Sequence, residues 1–110
     1  MSDTCASGEK IDESGPGLKA FISNAENIFQ GDVSCTAIVE DDETLIMKYL
    51  IQWSDENKAD VILTTGGTGF SKRDVTPEAT KKVIHKETPG LSLEMLMSSL
   101  KITPMAVLSR

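Results

Sequence analysis

No apolar run in this 110-residue chain approaches the roughly 20 residues that a membrane-spanning helix needs, which excludes a helical span. The first residues, Met1 to Lys10, have neither the basic cluster nor the apolar stretch of a signal peptide, so a cytoplasmic protein is expected. Basic residues are in deficit, 11 Lys and Arg against 17 Asp and Glu, for a formal charge of −6. A nucleic-acid or anionic-membrane surface needs a clustered excess of Lys and Arg, so neither partner is expected. An anionic small ligand is not excluded, because backbone N–H groups and a bound metal can hold phosphates on an acidic protein. Cysteine is scarce: Cys5 and Cys35 have no second Cys or His at metal-ligand spacing and read as reduced thiols. The single histidine, His85, is followed by Lys86 and Glu87 and reads as a surface residue, which leaves no usable Ser-His or Cys-His pair. There is no internal repeat and no low-complexity segment. What remains, 39% hydrophobic and 25% charged, is the composition of one ordinary globular domain.

Residues 1–16 read as a loop that closes with Ser14-Gly15-Pro16-Gly17. Leu18, Phe21, Ile22, Ala25 and Ile28 then form the stripe of an amphipathic helix that Gly31 ends. Val33 to Val39 is a short β-leaning run. Glu40-Asp41-Asp42-Glu43 suits the first turn of a helix whose apolar face is Leu45, Ile46, Tyr49, Leu50 and Trp53. Tyr49 and Trp53 share that face and read as core residues, with a base-stacking platform as the alternative. Lys58 to Asp60 ends the helix, and Ala59 to Thr65 is a continuous apolar strand of the type buried in a parallel sheet. Thr76-Pro77-Glu78 predicts another helix, with Thr76 as cap and Pro77 in the first position, and Val83 and Ile84 on its buried side. Thr88-Pro89-Gly90 stops it. Leu93, Leu96, Met97 and Leu100 stripe one more, with Met95, Met97 and Met105 read as core filler. The tail from Thr103 shows no clear element.

Strand, helix, strand between Val33 and Thr65 is a βαβ unit, whose strands should be parallel with a right-handed crossover. The predicted class is α/β: a three-layer, doubly wound, mostly parallel sheet with helices on both faces. Both strands then end at one edge, so the loop with Asp41 and the loop from Gly66 to Asp74 should open on the same side. Ligands of open α/β sheets bind at that edge. Two strands cannot complete such a sheet, so the chain is expected to be a partial domain, lacking a strand before Asp3 and further strands after Arg110.

Thr65-Gly66-Gly67-Thr68-Gly69 lies between the buried strand and a helix. Glycines there let the backbone approach a ligand and offer successive N–H donors to phosphate oxygens; a plain tight turn is the alternative. The loop is not a Walker A loop, because no Gly-Lys-Ser/Thr follows, and it lacks the G-x-G-x-x-G spacing of a dinucleotide site. Asp74 reads either as a local cap or partner of Arg73, or as a hard oxygen ligand for Mg²⁺ on nucleotide phosphates. Asp41 has the same two readings, and its place at a strand end favours the functional one. Ser109 is uninformative by itself.

The run from Thr65 through Gly69-Phe70 to Arg73-Asp74-Val75-Thr76-Pro77-Glu78-Ala79-Thr80 resembles the signature of the MogA/gephyrin-type molybdenum-cofactor domains. Glu87-Thr88-Pro89-Gly90 and the segments Ser99 to Pro104 and Leu108-Ser109-Arg110 continue the likeness, and Ser2 to Cys5 with Ser14-Gly15-Pro16 resembles the loop after that family's first strand. The resemblance implies a molybdopterin adenylyltransferase, in which the terminal phosphate of molybdopterin attacks the α-phosphate of ATP with Mg²⁺ present. It implies Asp41 and Asp74 as the functional, metal-holding carboxylates and the loop from Thr65 to Gly69 as the phosphate holder. Ser109 would serve the pterin side, Asp3 and Ser14 the nucleotide side. It also implies a homotrimer and an associated molybdenum-insertion domain or protein. A trimerising scaffold of the gephyrin kind, or a module that binds molybdopterin without catalysis, are the other readings of the resemblance. One departure stands out: Val39-Glu40-Asp41-Asp42 replaces the family's Val-Pro-Asp-Glu, and loss of the proline predicts a less rigid loop.

Overall fold

The computed structural model describes residues 14–24 and 31–110. Helix α1 is Ser14–Ser23, α2 is Glu43–Ile51, α3 is Thr76–Val83 and α4 is Pro89–Leu100. A π turn, Gln52–Glu56, prolongs α2, and a 3-10 turn, Pro104–Leu108, follows α4. Residues 14–17, expected in a loop, are thus the first turn of α1. Pro16 is at home there, because the N–H it lacks has no partner within the first turn of a helix. Ala25 and Ile28 of the predicted stripe, and Cys5, lie outside the described residues.

Asp42 caps helix α2, so of the acidic run only Glu43 lies inside the helix. The backbone of Asp42 is extended, and its Oδ1 accepts the Leu45 amide at 2.7 Å, filling one of the helix's orphan donors. The predicted apolar face is in place: Ile46 and Leu50 are buried, and Leu45, Tyr49 and Trp53 are half-buried. Tyr49 and Trp53 meet edge to face at 5.9 Å, as core aromatics do. Lys58, at φ 51°, turns the chain away in a left-handed conformation. Helix α3 lies on α2, and its Ala79 completes a core with Val39, Ile46 and Leu50. Lys82 of α3 pairs with Glu43 of α2 across this contact. Ile46 is fully enclosed, so Ile46→Val removes one methyl without room for collapse. We expect it to cost about 1 kcal/mol in urea unfolding, with an unchanged denaturant slope.

The segments expected as strands behave differently. Among the described residues neither 33–39 nor 59–65 is hydrogen-bonded into a ladder. Each buries one side only: Val39 is enclosed and Ile62 packs on the core, whereas Ile38, Val61 and Leu63 are exposed. Branched apolar residues specify a central strand only when both faces are covered. The second half of the chain differs in the same sense. Helix α4 has no buried residue, so Met95, Met97 and also Met105 are exposed and do not fill a core. Its contacts are with the 3-10 turn, where the Thr103 hydroxyl accepts the Met105 amide and Ala106 is buried, so the tail is an ordered element.

Candidate functional site

The convergence expected from the topology is present. Gly67 is buried in a left-handed conformation, φ 61°, and the preceding Gly66 is left-handed as well, φ 82°. A Cβ on Gly67 would stand 2.3 Å from Thr76 Oγ1 and 2.8 Å from Asp41 Oδ1. The carboxylate of Asp41, the second glycine of the loop and the first residue of α3 therefore crowd one point. Both oxygens there are buried, and Thr76 Oγ1 makes no hydrogen bond. Only glycine fits between them.

Asp41 reaches that point without the family's proline. The Asp42 amide donates to the Glu40 carbonyl at 2.8 Å, closing a γ turn around Asp41, while Asp42 caps α2. Two consecutive aspartates thus have different work: one starts the helix, the other faces the loop. Thr76 also departs from expectation. It is the first residue of α3, not its cap; the cap position falls to Val75 and no side chain fills it. The Thr76 amide instead donates to the Gly67 carbonyl at 3.1 Å, tying helix to loop, and its hydroxyl is packed against the glycine.

Asp74 closes the far end of the loop. Its Oδ2 accepts the Ser71 amide at 3.1 Å while its own amide donates to the Ser71 carbonyl at 3.0 Å. Gly69 lies beneath it, with room for no Cβ: the nearest atom would be Asp74 Oδ2 at 2.7 Å. The local-cap reading of Asp74 is therefore realised in the structure, with its second oxygen, Oδ1, at 3.8 Å from the same Gly69 position.

The loop's hydrogen bonding is lopsided. The Gly67 carbonyl is taken by Thr76 and the Thr68 carbonyl by Arg110 Nε at 3.0 Å. Among the described residues none of the N–H groups from Gly66 to Phe70 donates a hydrogen bond. Carbonyls are held on the protein side and a run of donors is left over, the polarity an anion requires.

The other predicted residues are less central. Ser14 is exposed at the start of α1, and no bond links it to the loop among the described residues. Asp3 lies outside them. Ser109 ends the 3-10 turn, donating its amide to Ala106 at 2.9 Å, next to Arg110. His85 is exposed, as expected, and Cys35 is a free thiol. No group of three or more His, Cys, Asp or Glu side chains gathers at one point among the described residues. A cleft of about 500 Å³, lined in part by Thr76, Thr80, Lys81, Lys86, Ser92 and Arg110, opens behind the loop; Asp41 and Gly66 to Gly69 do not line it. No helix among the described residues is long and apolar enough to cross a membrane.

The model of a family described as a probable molybdopterin-binding domain matches residues 1–110. The chain belongs to this family. It is 43% identical to gephyrin of Dictyostelium discoideum over 116 aligned residues, covering 99% of this chain and 16% of that protein. It is 44% identical to a molybdopterin adenylyltransferase of Helicobacter pylori, covering 99% of this chain and 61% of that one. The chain thus spans a minor part of gephyrin and about three-fifths of the bacterial enzyme. Among solved structures, the molybdopterin biosynthesis enzyme MoaB of Thermus thermophilus superposes with a TM-score of 0.86 at 39% identity, over 99% of this chain and 66% of that one. The fold of this molybdopterin-binding domain is accordingly the α/β fold of the MogA/MoaB type.

Proposed function

We propose that this domain is the phosphate-holding half of a molybdopterin adenylyltransferase site. The observation that carries the proposal is the run of N–H groups without acceptors from Gly66 to Phe70, on the rim where Asp41 Oδ1 and Thr76 Oγ1 meet. In the reaction, an oxygen of the molybdopterin terminal phosphate bonds to the α-phosphorus of ATP. The bond from that phosphorus to the bridging oxygen breaks, and pyrophosphate leaves. The nucleophile is already an anion, so no side chain need remove a proton. The protein's task is alignment and neutralisation of charge. Loop N–H groups orient a phosphate, and Asp41 with Asp74 sets the electrostatics at either end of the loop.

Mg²⁺ is part of this reading. Asp41, backed by the buried Thr76 hydroxyl, and Asp74 offer the hard oxygen donors that the ion prefers. Two carboxylates are a normal protein share for Mg²⁺, whose other ligands come from phosphates and water. Bound there, the ion would offset negative charge on the nucleotide. Ser109, adjacent to the residue that holds the loop, is assigned to the pterin side; Asp3 and Ser14 stay assigned to the nucleotide on the family resemblance alone. We further assign 33–39 and 59–65 to parallel strands of a doubly wound sheet, and the exposed apolar face of α4 to contacts within a homotrimer.

The test is AMP transfer. Incubated with molybdopterin and Mg-ATP, the purified protein should form adenylylated molybdopterin and release pyrophosphate one for one. Molybdopterin binding with no AMP transfer would instead assign a binding or scaffold role.

A further inference from the structure

Among the described residues Arg110 is bonded to more of the site than any other side chain, and neither composition nor spacing marks it. Its Nε donates to the Thr68 carbonyl at 3.0 Å, and one terminal nitrogen donates to the Asp74 carbonyl at 3.1 Å. The two terminal nitrogens also grip Glu78 of α3, at 3.0 Å to Oε1 and 3.2 Å to Oε2. The guanidinium carbon lies 5.4 Å from the centre of the Phe70 ring. One planar cation therefore joins both ends of the 68–74 segment to the helix that carries Thr76.

We propose that Arg110 is a positioning residue that latches the phosphate loop, a role that rests on the loop's function given above. Carbonyls at Thr68 and Asp74 that were not held would be free to turn toward an incoming phosphate and repel it. Drawn onto Arg110, they stay on the protein side and leave the N–H groups from Gly66 to Phe70 for the anion. The carboxylate of Glu78 fixes the plane of the guanidinium, and a bidentate pair of this kind holds orientation as well as distance. Lysine cannot substitute, because a single ammonium has no rigid fork with which to reach two carbonyls and a carboxylate in one plane. Arg110 touches none of the reacting atoms. It acts through the loop.

The test pairs amide exchange with transfer kinetics in Arg110→Lys and Arg110→Ala. Exchange at the Ser71 and Asp74 amides, the two that close the loop, should become about tenfold faster or more, while amides of α2 keep their wild-type protection. Transfer efficiency should fall by a similar factor in both variants, and methylguanidinium should restore part of it in Arg110→Ala, which a purely structural loss would not allow. Unchanged exchange at Ser71 and Asp74 in the lysine variant overturns the latch, and that variant decides the matter if the alanine variant does not fold. Absence of AMP transfer by the wild-type protein defeats the functional assignment instead, and the exchange result still stands for or against the latch.

Discussion

Asp41→Asn is expected to slow AMP transfer by about a hundredfold or more with little change in stability. The substitution keeps shape and size, so the γ turn around residue 41, made by backbone groups, and the cap supplied by Asp42 both survive. What is lost is one negative charge at the point where Gly67 and Thr76 converge. An amide oxygen is a poor ligand for Mg²⁺ compared with a carboxylate, and it contributes no net charge to the alignment of a polyanionic nucleotide. Asp74→Asn should also slow transfer, although its Oδ2 is engaged by Ser71, so part of the loss there will come from a looser loop. Initial rates of pyrophosphate release, with a thermal melt of the same samples, separate the two causes. Turnover within a few-fold of wild type in both variants would remove these carboxylates from the mechanism.

Gly67→Ala should be a highly damaging single-methyl change. Alanine at φ 61° costs about 1 kcal/mol for the left-handed backbone alone. The methyl would also sit 2.3 Å from Thr76 Oγ1 and 3.3 Å from Thr76 Cβ. Thr76 is 2% exposed and anchored by its amide to Gly67, so it cannot step aside without shifting the start of α3. A total loss of about 3 kcal/mol is expected in chemical unfolding. Thr76→Ala supplies the control. By itself it deletes a buried hydroxyl that makes no hydrogen bond, so stability should hold or rise slightly. Combined with Gly67→Ala it removes the closest clash, and the double variant should recover part of the loss, a coupling that a double-mutant cycle reads directly. Additive effects of the two changes would mean that the helix start and the loop do not meet as described.

The site was legible in sequence to the extent that it depends on topology. An acidic loop after 33–39 and a glycine loop after 59–65 led to the expectation that Asp41 lies beside the glycine loop, and that juxtaposition is in the structure. Two residues escaped for a common reason. Thr76-Pro77 is a good local start signal for a helix, and nothing local tells a capping hydroxyl from one buried against a glycine earlier in the chain. Arg110 has partners at 68, 74 and 78, which no short-range pattern can connect with the end of a 3-10 turn. The methionines of α4 misled in a different way. A stripe at helical spacing shows that a helix has an apolar face, yet not what lies opposite, and here that face is exposed. The segments 33–39 and 59–65 are likewise covered on one face only among the described residues, which their branched apolar residues do not reveal.

The central claim is that the amides from Gly66 to Phe70 are the protein's grip on phosphate. Amide resonances of the ¹⁵N-labelled protein, followed during titration with Mg-ATP and separately with molybdopterin, test it most directly. Movement concentrated on those five amides with at least one ligand, saturating in step with binding, is the predicted result. Saturable binding of both ligands that leaves all five unmoved would contradict it and place the phosphate elsewhere.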